Sequence, residues 1–481
     1  MLTGSEMGVV DENAAALGVP RKQLMESSGH AVARAVRALA DPGDAVTVVA
    51  GRGNNGGDAL VTARFLDDYD LHVLLLGRPD AISTTIAREN WEALQHAEYP
   101  TETVKDASAF ELGTPDVVVD AMLGTGIAGD LREPEATAAA AMSESDATVL
   151  SVDVPSGLDA ETGRLADNAV DTDHVVTFHD TKPGLPDLDV PVTVADIGIP
   201  DAAELFVERG DLTRLERDPA SHKGDNGEVL VVGGGPYTGA PALAAQAALR
   251  GGADLVRVAC PTVVAREIQS YSENLILRPF DGDHLAPPHV DRLADLAADH
   301  DTLLLGPGLG DADATLEAVG DLLAEFEGTA VVDADALSVV PNIETDAELI
   351  CTPHQGELRD MGGETADDWR DRADLVESFA ADLDQTLLVK GPYDIISDGE
   401  RTRVSRTGNP GMTVGGTGDV LAGVTGALAC VQDPIDAAAI AAYTVGSVGD
   451  RVVDDRGYGL VATDLLDGIP QVLWQREATA E

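Results

Sequence analysis

Short apolar segments alternate with alanine-rich stretches along most of the chain. In the first half we expect strands at AVTVVA, LHVLLL, DVVVDAML, ATVLSVDV, DHVVTF and PVTVADIGI. In the second half we expect them at GEVLVVGGG, DLVRVA, DTLLLGPG, TAVVDADA, AELICTP and QTLLVKG. Apolar runs that alternate with helical stretches are typical of βα units around a parallel sheet. The sequence therefore predicts an α/β protein.

A charged segment separates the two series of strands. After Ile199 the chain runs through ERGDLTRLERDPASHKGDNG before apolar character returns at GEVLVVGGG. A chain of 481 residues is long for one domain, and 44% hydrophobic residues are enough for two cores. We therefore predict two domains, residues 1–212 and residues 213–481.

The charge balance excludes several classes of protein. Asp and Glu number 85 against 31 Lys and Arg, which gives a net charge of −54. Such a surface repels nucleic acid and anionic membranes, so neither is an expected partner. The acid is spread along the chain, which indicates a halophile-type solvated surface, because salt near 1 M shortens the Debye length to roughly 3 Å.

Lysine and cysteine usage adds two constraints. The five lysines, each a candidate for a specific role in a chain that nearly avoids lysine, are Lys22, Lys105, Lys182, Lys223 and Lys390. The three cysteines are far apart and lack C-x-x-C spacing, which argues against a disulfide framework or a zinc site. Without a basic leader or an apolar run of membrane length, we expect a soluble cytoplasmic protein.

The stretch VTVVAGRGNNGGDAL has the glycine spacing of a dinucleotide-binding loop, between a strand and a helix predicted at 58–66. The glycines can equally serve only a tight turn. The next strand ends at LLLGRPD, without the acid that would bind a ribose. Asn54, Asn55 and Asp58 instead supply oxygens that suit a hard cation or a polar ring.

Two further strand ends in the first half carry carboxylates. Asp120 precedes a second glycine loop, and Asp153 and Ser156 follow the next strand. Each could simply cap a helix or a turn. Because the carboxyl ends of neighbouring parallel strands share one crevice, the three loops together predict a site.

In the second half, GMTVGGTGD would open a helix whose first amides bind an anion. Asp419 is placed to accept a proton there, or merely to complement the helix dipole. Lys390 ends a strand, where its charge would offset nucleotide phosphate. Asp333 and Asp335 could assist a magnesium ion through water, or cap helices.

The motifs GRGNNGGDA, DAMLGTGIAGD, VDVPSGLD and KPGL resemble the epimerase domain of NAD(P)H-hydrate repair enzymes, over residues 1–210. By this resemblance Asp153 is the proton-transfer base, and Lys182 orients or protonates the ring, unless it is a surface cation. The resemblance assigns potassium to Asn55, Asp120 and Ser156. It assigns the hydrate to Asn54, Asn55, Gly56, Gly57, Asp58, Gly124, Thr125, Gly126, Ile127, Ala128, Gly129, Asp130 and Asp153. The chain departs from the family pattern at Ala59, His179 and Asp180.

The motifs HKGDNG, GPGLG, VVDADAL, TPHQGE, VKGPYD and GMTVGGTGD resemble NAD(P)H-hydrate dehydratases of the ribokinase-like superfamily, over residues 213–481. The resemblance implies that Asp419 activates the ring hydroxyl for phosphorylation. It assigns the hydrate to Ala240, Gly308, His354 and Asp419, although His354 could be a capping or core histidine. It assigns the nucleotide to Lys390, Gly391, Pro392, Tyr393, Asp394 and Gly418. ADP is the expected donor, because prokaryotic members use it, with magnesium.

These observations predict a Rossmann-like three-layer αβα sandwich followed by a ribokinase-like α/β domain. The predicted function is bifunctional: epimerisation of the R and S hydrates of NAD(P)H, and dehydration of the S form with ADP, giving AMP and phosphate. One alternative is a kinase of a small alcohol with a nucleotide-sensing first domain. Another is a module that recruits a protein through its first crevice. Assembly into a homo-oligomer is left open.

Overall fold

The computed structural model describes residues 1–127 and 129–474. They form two compact units, of which the first is Met1–Ala203 and the second begins at Glu204. No helix in these residues is both long and apolar enough to cross a membrane.

The division between the units lies earlier than residue 212, the expected boundary within the charged segment. Phe206 forms a β-bridge with Val404, and Asp211 forms an ion pair with Arg403 at 2.7 Å. These long-range contacts attach residues 204–212 to the second unit.

The first unit consists of one sheet and its flanking helices. The structure describes the strands β1 (Ala45–Ala50), β2 (Asp70–Leu76), β3 (Thr101–Val104), β4 (Val117–Ala121), β5 (Thr148–Val152), β6 (His174–Phe178) and β7 (Val192–Ala195). The helices are α1 (Gly4–Ala16), α2 (Arg21–Leu39), α3 (Asn54–Arg64), α4 (Thr85–His96) and α5 (Glu135–Ser143). A short helix, α6 (Ala202–Leu205), spans the junction in the chain.

The seven strands are all parallel, in the order β3-β2-β1-β4-β5-β6-β7. Successive residues of each strand face opposite sides of the sheet, so Val48 packs in the core under α1 to α4 and Val49 in the core under α5. This is the predicted three-layer sandwich. Because the order reverses between β1 and β4, a crevice opens at the carboxyl ends of these two strands.

The second unit contains a larger sheet. Its strands are β8 (Glu228–Val232), β9 (Leu255–Ala259), β10 (Ile276–Leu277), β11 (Thr302–Leu305), β12 (Thr329–Val332), β13 (Glu348–Cys351), β14 (Thr386–Val389), β15 (Asp394–Ser397) and β16 (Thr402–Ser405). Its helices are α7 (Gly239–Gly251), α8 (Thr262–Gln269), α9 (Val290–Ala297), α10 (Asp313–Glu325), α11 (Gln355–Asp360), α12 (Trp369–Leu383), α13 (Thr417–Leu428), α14 (Pro434–Arg456), α15 (Thr463–Leu466) and α16 (Ile469–Trp474).

The strand order is β10-β9-β8-β11-β12-β13-β14-β15-β16, and the pairs β14–β15 and β15–β16 are antiparallel, whereas the other pairs are parallel. One face of the sheet packs in a core with α7 and α13 to α16, and the other with α9, α10 and α12. The order reverses between β8 and β11, so a second crevice opens at the carboxyl ends of the parallel strands.

Candidate functional site

In the first crevice, the loops after β1 and β4 approach each other closely. A Cβ at Gly51 would lie 1.8 Å from the carbonyl oxygen of Met122, so only glycine fits there. Helix α3 begins at Asn54, earlier than predicted, so Asn54 and Asn55 belong to its first turn. A Cβ at Gly124 would lie 3.3 Å from the Cβ of Asn55. Gly51 and Gly124 therefore allow the loops after β1 and β4 to contact each other.

Asp120 joins the loops after β4 and β5. Its carboxylate is fully buried and accepts hydrogen bonds from Ser156 Oγ (2.6 Å), Ser156 N (2.9 Å) and Ser151 Oγ (2.9 Å). The Oγ of Ser156 in turn accepts from the backbone N–H of Leu123 at 3.1 Å. Burial raises the pKa of Asp120, although these hydrogen bonds oppose the shift. The structure thus brings Asp120 and Ser156 together as predicted.

Asn55 lies beside this pair and carries an unsatisfied oxygen. Its amide nitrogen donates to the carbonyl oxygen of Leu123 at 2.8 Å, whereas its buried Oδ1 has no partner among the described residues. A buried amide oxygen without a donor costs free energy unless a ligand satisfies it. Amide, hydroxyl and carboxylate oxygens suit a hard cation, so Asn55, Asp120 and Ser156 fit the predicted potassium ion.

Asp153 follows β5 with a backbone φ of 63°, which is strained for a residue other than glycine. Its Oδ1 accepts from the hydroxyl of Thr177 at 3.0 Å and lies 3.2 Å from Nζ of Lys182. Lys182 is 1% exposed, and Nζ also donates to the carbonyl oxygens of Phe178 (2.9 Å) and Asp180 (3.0 Å). Nζ thus has two hydrogen-bond acceptors and one ion-pair partner in the protein, and Lys182 is no surface cation.

Two more carboxyl groups face Asp153. The pKa of Asp58 is raised well above its usual value by burial and by the charges of Asp153 and Asp11. Burial, with a contribution from Asp153, also raises the pKa of Asp11 to about 6. Three carboxyl groups therefore influence one another, and the buried ammonium of Lys182 acts on two of them, Asp153 and Asp11. Asp11 lies in α1, far from the motifs in sequence, and no local signal pointed to it.

The remaining predicted hydrate residues extend the crevice along two segments. Gly56 and Gly57 are buried in the first turns of α3. The loop after β4 carries the others, and the side chains of Ile127 and Asp130 are exposed there. Ala128 lies outside the described residues.

In the second crevice, glycines again allow close approach of strand-end loops. A Cβ at Gly308, which has φ 74°, would lie 2.5 Å from the carbonyl oxygen of Tyr237, in the turn that leads to Ala240. A Cβ at Gly416 would lie 2.8 Å from Leu243 of α7. The loop after β11, the start of α7 and the start of α13 therefore meet.

Lys390 lies at the centre of this crevice. Its Nζ is 2.9 Å from Oδ1 of Asp333, which is nearly fully buried, and 3.8 Å from Oε2 of Glu357. Burial alone would lower the pKa of Lys390, but these carboxylates raise it above the usual value. A Cβ at Gly418 would lie 3.4 Å from the same Nζ. The structure thus places Lys390 beside the predicted anion site at the start of α13.

Asp419 lies in the first turn of α13, after Gly416 in a left-handed conformation. Burial, together with the charge of Asp333, raises the pKa of Asp419 to about 7, and Lys390 opposes the shift. General bases work best with a pKa near the operating pH. Asp419 is therefore suited to proton transfer beside the helix amides.

His354 both caps a helix and faces the crevice. Its Nδ1 accepts from the backbone N–H of Glu357 at 2.9 Å, and the backbone N–H of His354 donates to Oε2 of Glu357 at 2.7 Å. The side chain is 60% exposed. A β-bridge places it beside Lys390. Glu357 was not singled out from the sequence, although its three-residue spacing from a capping residue is a known helix-start signal.

The predicted magnesium site has few ligands within the chain. Among the described residues, no group of three His, Cys, Asp or Glu side chains is placed to hold a metal ion. Oδ1 of Asp333 already accepts from Lys390 and, at 2.7 Å, from Thr352. Magnesium usually takes one or two carboxylates plus substrate phosphates, so an ion here would depend on the nucleotide.

Comparison with known proteins agrees with both motif sets. Residues 21–184 match the family model described as YjeF-related protein N-terminus, and residues 229–471 match that of NAD(P)H-hydrate dehydratase. The Bifunctional NAD(P)H-hydrate repair enzyme Nnr of Methanothermobacter thermautotrophicus is 42% identical, over 97% of this chain and 94% of that protein. The protein of the same name from Pyrobaculum aerophilum is also 42% identical, over 98% of each chain.

Solved structures agree on the fold of the second unit. A ribokinase-like superfamily protein from Enterococcus faecalis superposes with a TM-score of 0.50 and 22% identity, covering 56% of this chain and 95% of that one. At this identity the likeness shows the fold alone. The predicted ribokinase-like α/β fold is confirmed.

Proposed function

The chain belongs to the family of bifunctional NAD(P)H-hydrate repair enzymes, and from this premise we propose that each unit performs one reaction. The first unit epimerises the R and S hydrates, and the second dehydrates the S form. The observation that carries this division is that each unit has its own crevice at a strand-order reversal, with its own carboxylate beside a lysine.

For epimerisation we propose that Asp58 and Asp153 work as an acid and a base. Asp153 is ion-paired with Lys182, whereas the pKa of neighbouring Asp58 is raised by burial. Such separation of two carboxyl environments is typical of acid and base partners. Lys182 then orients Asp153, with which it is ion-paired, while two backbone carbonyl oxygens hold its ammonium group in place.

The proton transfers of epimerisation need only these two carboxyl groups. The neutral Asp58 carboxyl protonates the ring hydroxyl, the C–O bond breaks to release water, and the ring nitrogen forms an iminium double bond. Water then adds to the opposite face while the Asp153 carboxylate accepts its proton. The epimer forms, one proton has moved from Asp58 to Asp153, and return of that proton completes the cycle.

For dehydration we propose Asp419 as the base. Its carboxylate accepts the proton of the ring hydroxyl while that oxygen bonds to the terminal phosphorus of the nucleotide, so that ADP releases AMP. The amides at the start of α13 and the charge of Lys390 support the transferred phosphate. The C–O bond of the phosphate ester then breaks, and the departing phosphate accepts the proton that the neighbouring ring carbon loses, which restores the double bond.

We further propose that the loop at 390–394 holds the nucleotide, together with Gly418, and that magnesium arrives with its phosphates. Gly308, His354 and Ala240 line the hydrate side of the same crevice. The proposed partners are these small molecules, because a net charge of −54 disfavours nucleic acid and anionic membranes. The proposed compartment is the cytoplasm.

The test is direct. The full chain, incubated with the S form of NADH hydrate and ADP, should restore the absorbance of reduced nicotinamide. With the R form and no nucleotide, chromatography should show conversion to S. A kinase of a small alcohol would restore no absorbance, which would refute the proposed dehydratase.

Exchange of potassium for sodium should lower epimerase activity about 10-fold or more at equal ionic strength. The buried Oδ1 of Asn55 would lose a fitting cation, whereas dehydration by the second unit should not change. Asn55→Leu should abolish the difference between the two salts. Equal epimerase rates in both salts with the unaltered chain would contradict the potassium site.

The dehydratase should lose activity in acid. Because the pKa of Asp419 is raised to about 7, its base form predominates only above that pH. We expect kcat/KM to fall about tenfold per pH unit below about pH 7 and to level off above about pH 8. A profile that stays flat down to about pH 5 would show that Asp419 is not the group that titrates.

A further inference from the structure

Arg372 is a buried arginine next to the nucleotide loop, residues 390–394. It lies near the start of α12 and is only 4% exposed. Its guanidinium donates to the carbonyl oxygens of Ala366 (3.0 Å) and Tyr393 (3.4 Å). A Cβ at Gly391 would lie 3.7 Å from the nitrogen that reaches Tyr393. The guanidinium thus contacts Tyr393 and lies close to Gly391.

The positive charge of Arg372 is incompletely balanced within the chain. Both hydrogen bonds go to carbonyl oxygens, and its buried Nε has no partner among the described residues. The charge acts on Asp394, yet burial raises the pKa of that carboxyl to about 7, so it is only partly ionised at neutral pH. Buried charges are normally paired, so the site favours a further anion nearby.

Other contacts hold the nucleotide loop against the same helix. The ring of Tyr393 stacks on Trp369 of α12, with centroids 5.2 Å apart and planes 14° apart. The N–H of Gly391 donates to Oδ1 of Asp394 at 2.8 Å. The loop conformation therefore depends on the start of α12, where Arg372 supplies the hydrogen bond to its backbone.

We propose that Arg372 is a positioning residue for the nucleotide: it fixes the backbone of the 390–394 loop, and the polyphosphate of the bound nucleotide balances its charge. This inference rests on the proposed function, in which that loop binds the nucleotide. Arg372 itself touches the loop, so its effect reaches the phosphates through the loop backbone and through its field.

The test compares Arg372→Met and Arg372→Lys with the unaltered chain. For Arg372→Met, the Kd and the KM for ADP should rise about 10- to 100-fold, the range for a lost hydrogen bond from a charged donor. The KM for the S hydrate and kcat at saturating ADP should stay within about twofold, because the other residues remain. Arg372→Lys keeps the charge but not the planar guanidinium, so its Kd and KM for ADP should lie between those of Arg372→Met and of the unaltered chain.

Arg292→Met is the matched control. Arg292 is exposed and also donates to a backbone carbonyl, that of Pro279, at 3.0 Å. Arg292→Met should leave the KM for ADP and the KM for the S hydrate unchanged.

Four results separate the explanations. An unchanged Kd for ADP in Arg372→Met would overturn the inference, as would equal losses for ADP and hydrate, which indicate a merely structural role. If Arg372→Met does not fold, a folded Arg372→Lys with an unchanged KM for ADP would overturn it equally. If the unaltered chain binds neither ADP nor ATP, the proposed function fails instead.

Discussion

Asp419→Asn is expected to lower the dehydratase kcat by about 10²- to 10⁴-fold, the usual contribution of a general base. The amide keeps the size of the carboxyl group in the first turn of α13 but cannot accept the hydroxyl proton. The measurement is the recovery of reduced-nicotinamide absorbance from S hydrate and ADP. Conversion of R to S by the same preparation should be unchanged, because that chemistry lies in the other unit.

A control separates the base from the helix dipole. Asp313→Asn also removes a carboxylate from a first helical turn, that of α10, and should leave dehydration unchanged. Dehydration within about fivefold of normal in Asp419→Asn would mean that another group takes the proton. An equal loss of both activities would mean that the reactions are not divided between the units as proposed.

Asp153→Asn should have the opposite effect, lowering epimerisation by about 10²- to 10⁴-fold and sparing dehydration. The amide oxygen can still accept from Thr177 and Lys182, but it cannot take a proton from water. The measurement is chromatographic conversion of R to S hydrate without nucleotide.

Loss of stability must be distinguished from loss of chemistry in this variant. Removal of one partner of a buried ion pair commonly destabilises a protein by about 3–5 kcal/mol, so the melting temperature has to be followed as well. Asp159→Asn, in the same VDVPSGLD motif, changes an exposed turn carboxylate that binds the N–H groups of Glu161 and Thr162. It should retain epimerase activity. Normal epimerisation by a folded Asp153→Asn would transfer the base role to Asp58 or Asp11.

Apart from the edge strand β7, the strands that the sequence predicted lie in the interior of the two sheets. Interior strands are covered on both faces and therefore appear as uninterrupted apolar runs. The unpredicted strands are β3, β10 and β16 at the edges and β15 next to an edge; β3 reads TETV, β10 has two residues, and β15 and β16 read DIIS and TRVS. The edge strands among them are short, so no apolar run marks them.

The candidate sites were predictable to the extent that they lie in strand-end loops. Asp120, Asp153, Lys390 and Asp419 stand in local motifs, because glycines and polar residues must be adjacent in the chain to form each loop. Asp11 and Arg372 stand in helices, without any such pattern, and reach the crevices only because helices pack across the strand ends.

The sequence by itself determined the two-part α/β architecture, the acidic surface, the family, and the loops that carry the chemistry. The architecture and the surface follow from hydrophobic periodicity and composition, and the family and its loops from motifs that resemble those of known enzymes; all of these signals are local in the chain. Only the tertiary structure decided the electrostatic roles, which depend on burial and on charges from distant segments. It holds the buried Lys182 beside Asp153, raises the pKa of Asp58 through burial and the charge of Asp153, and brings the pKa of Asp419 to about 7.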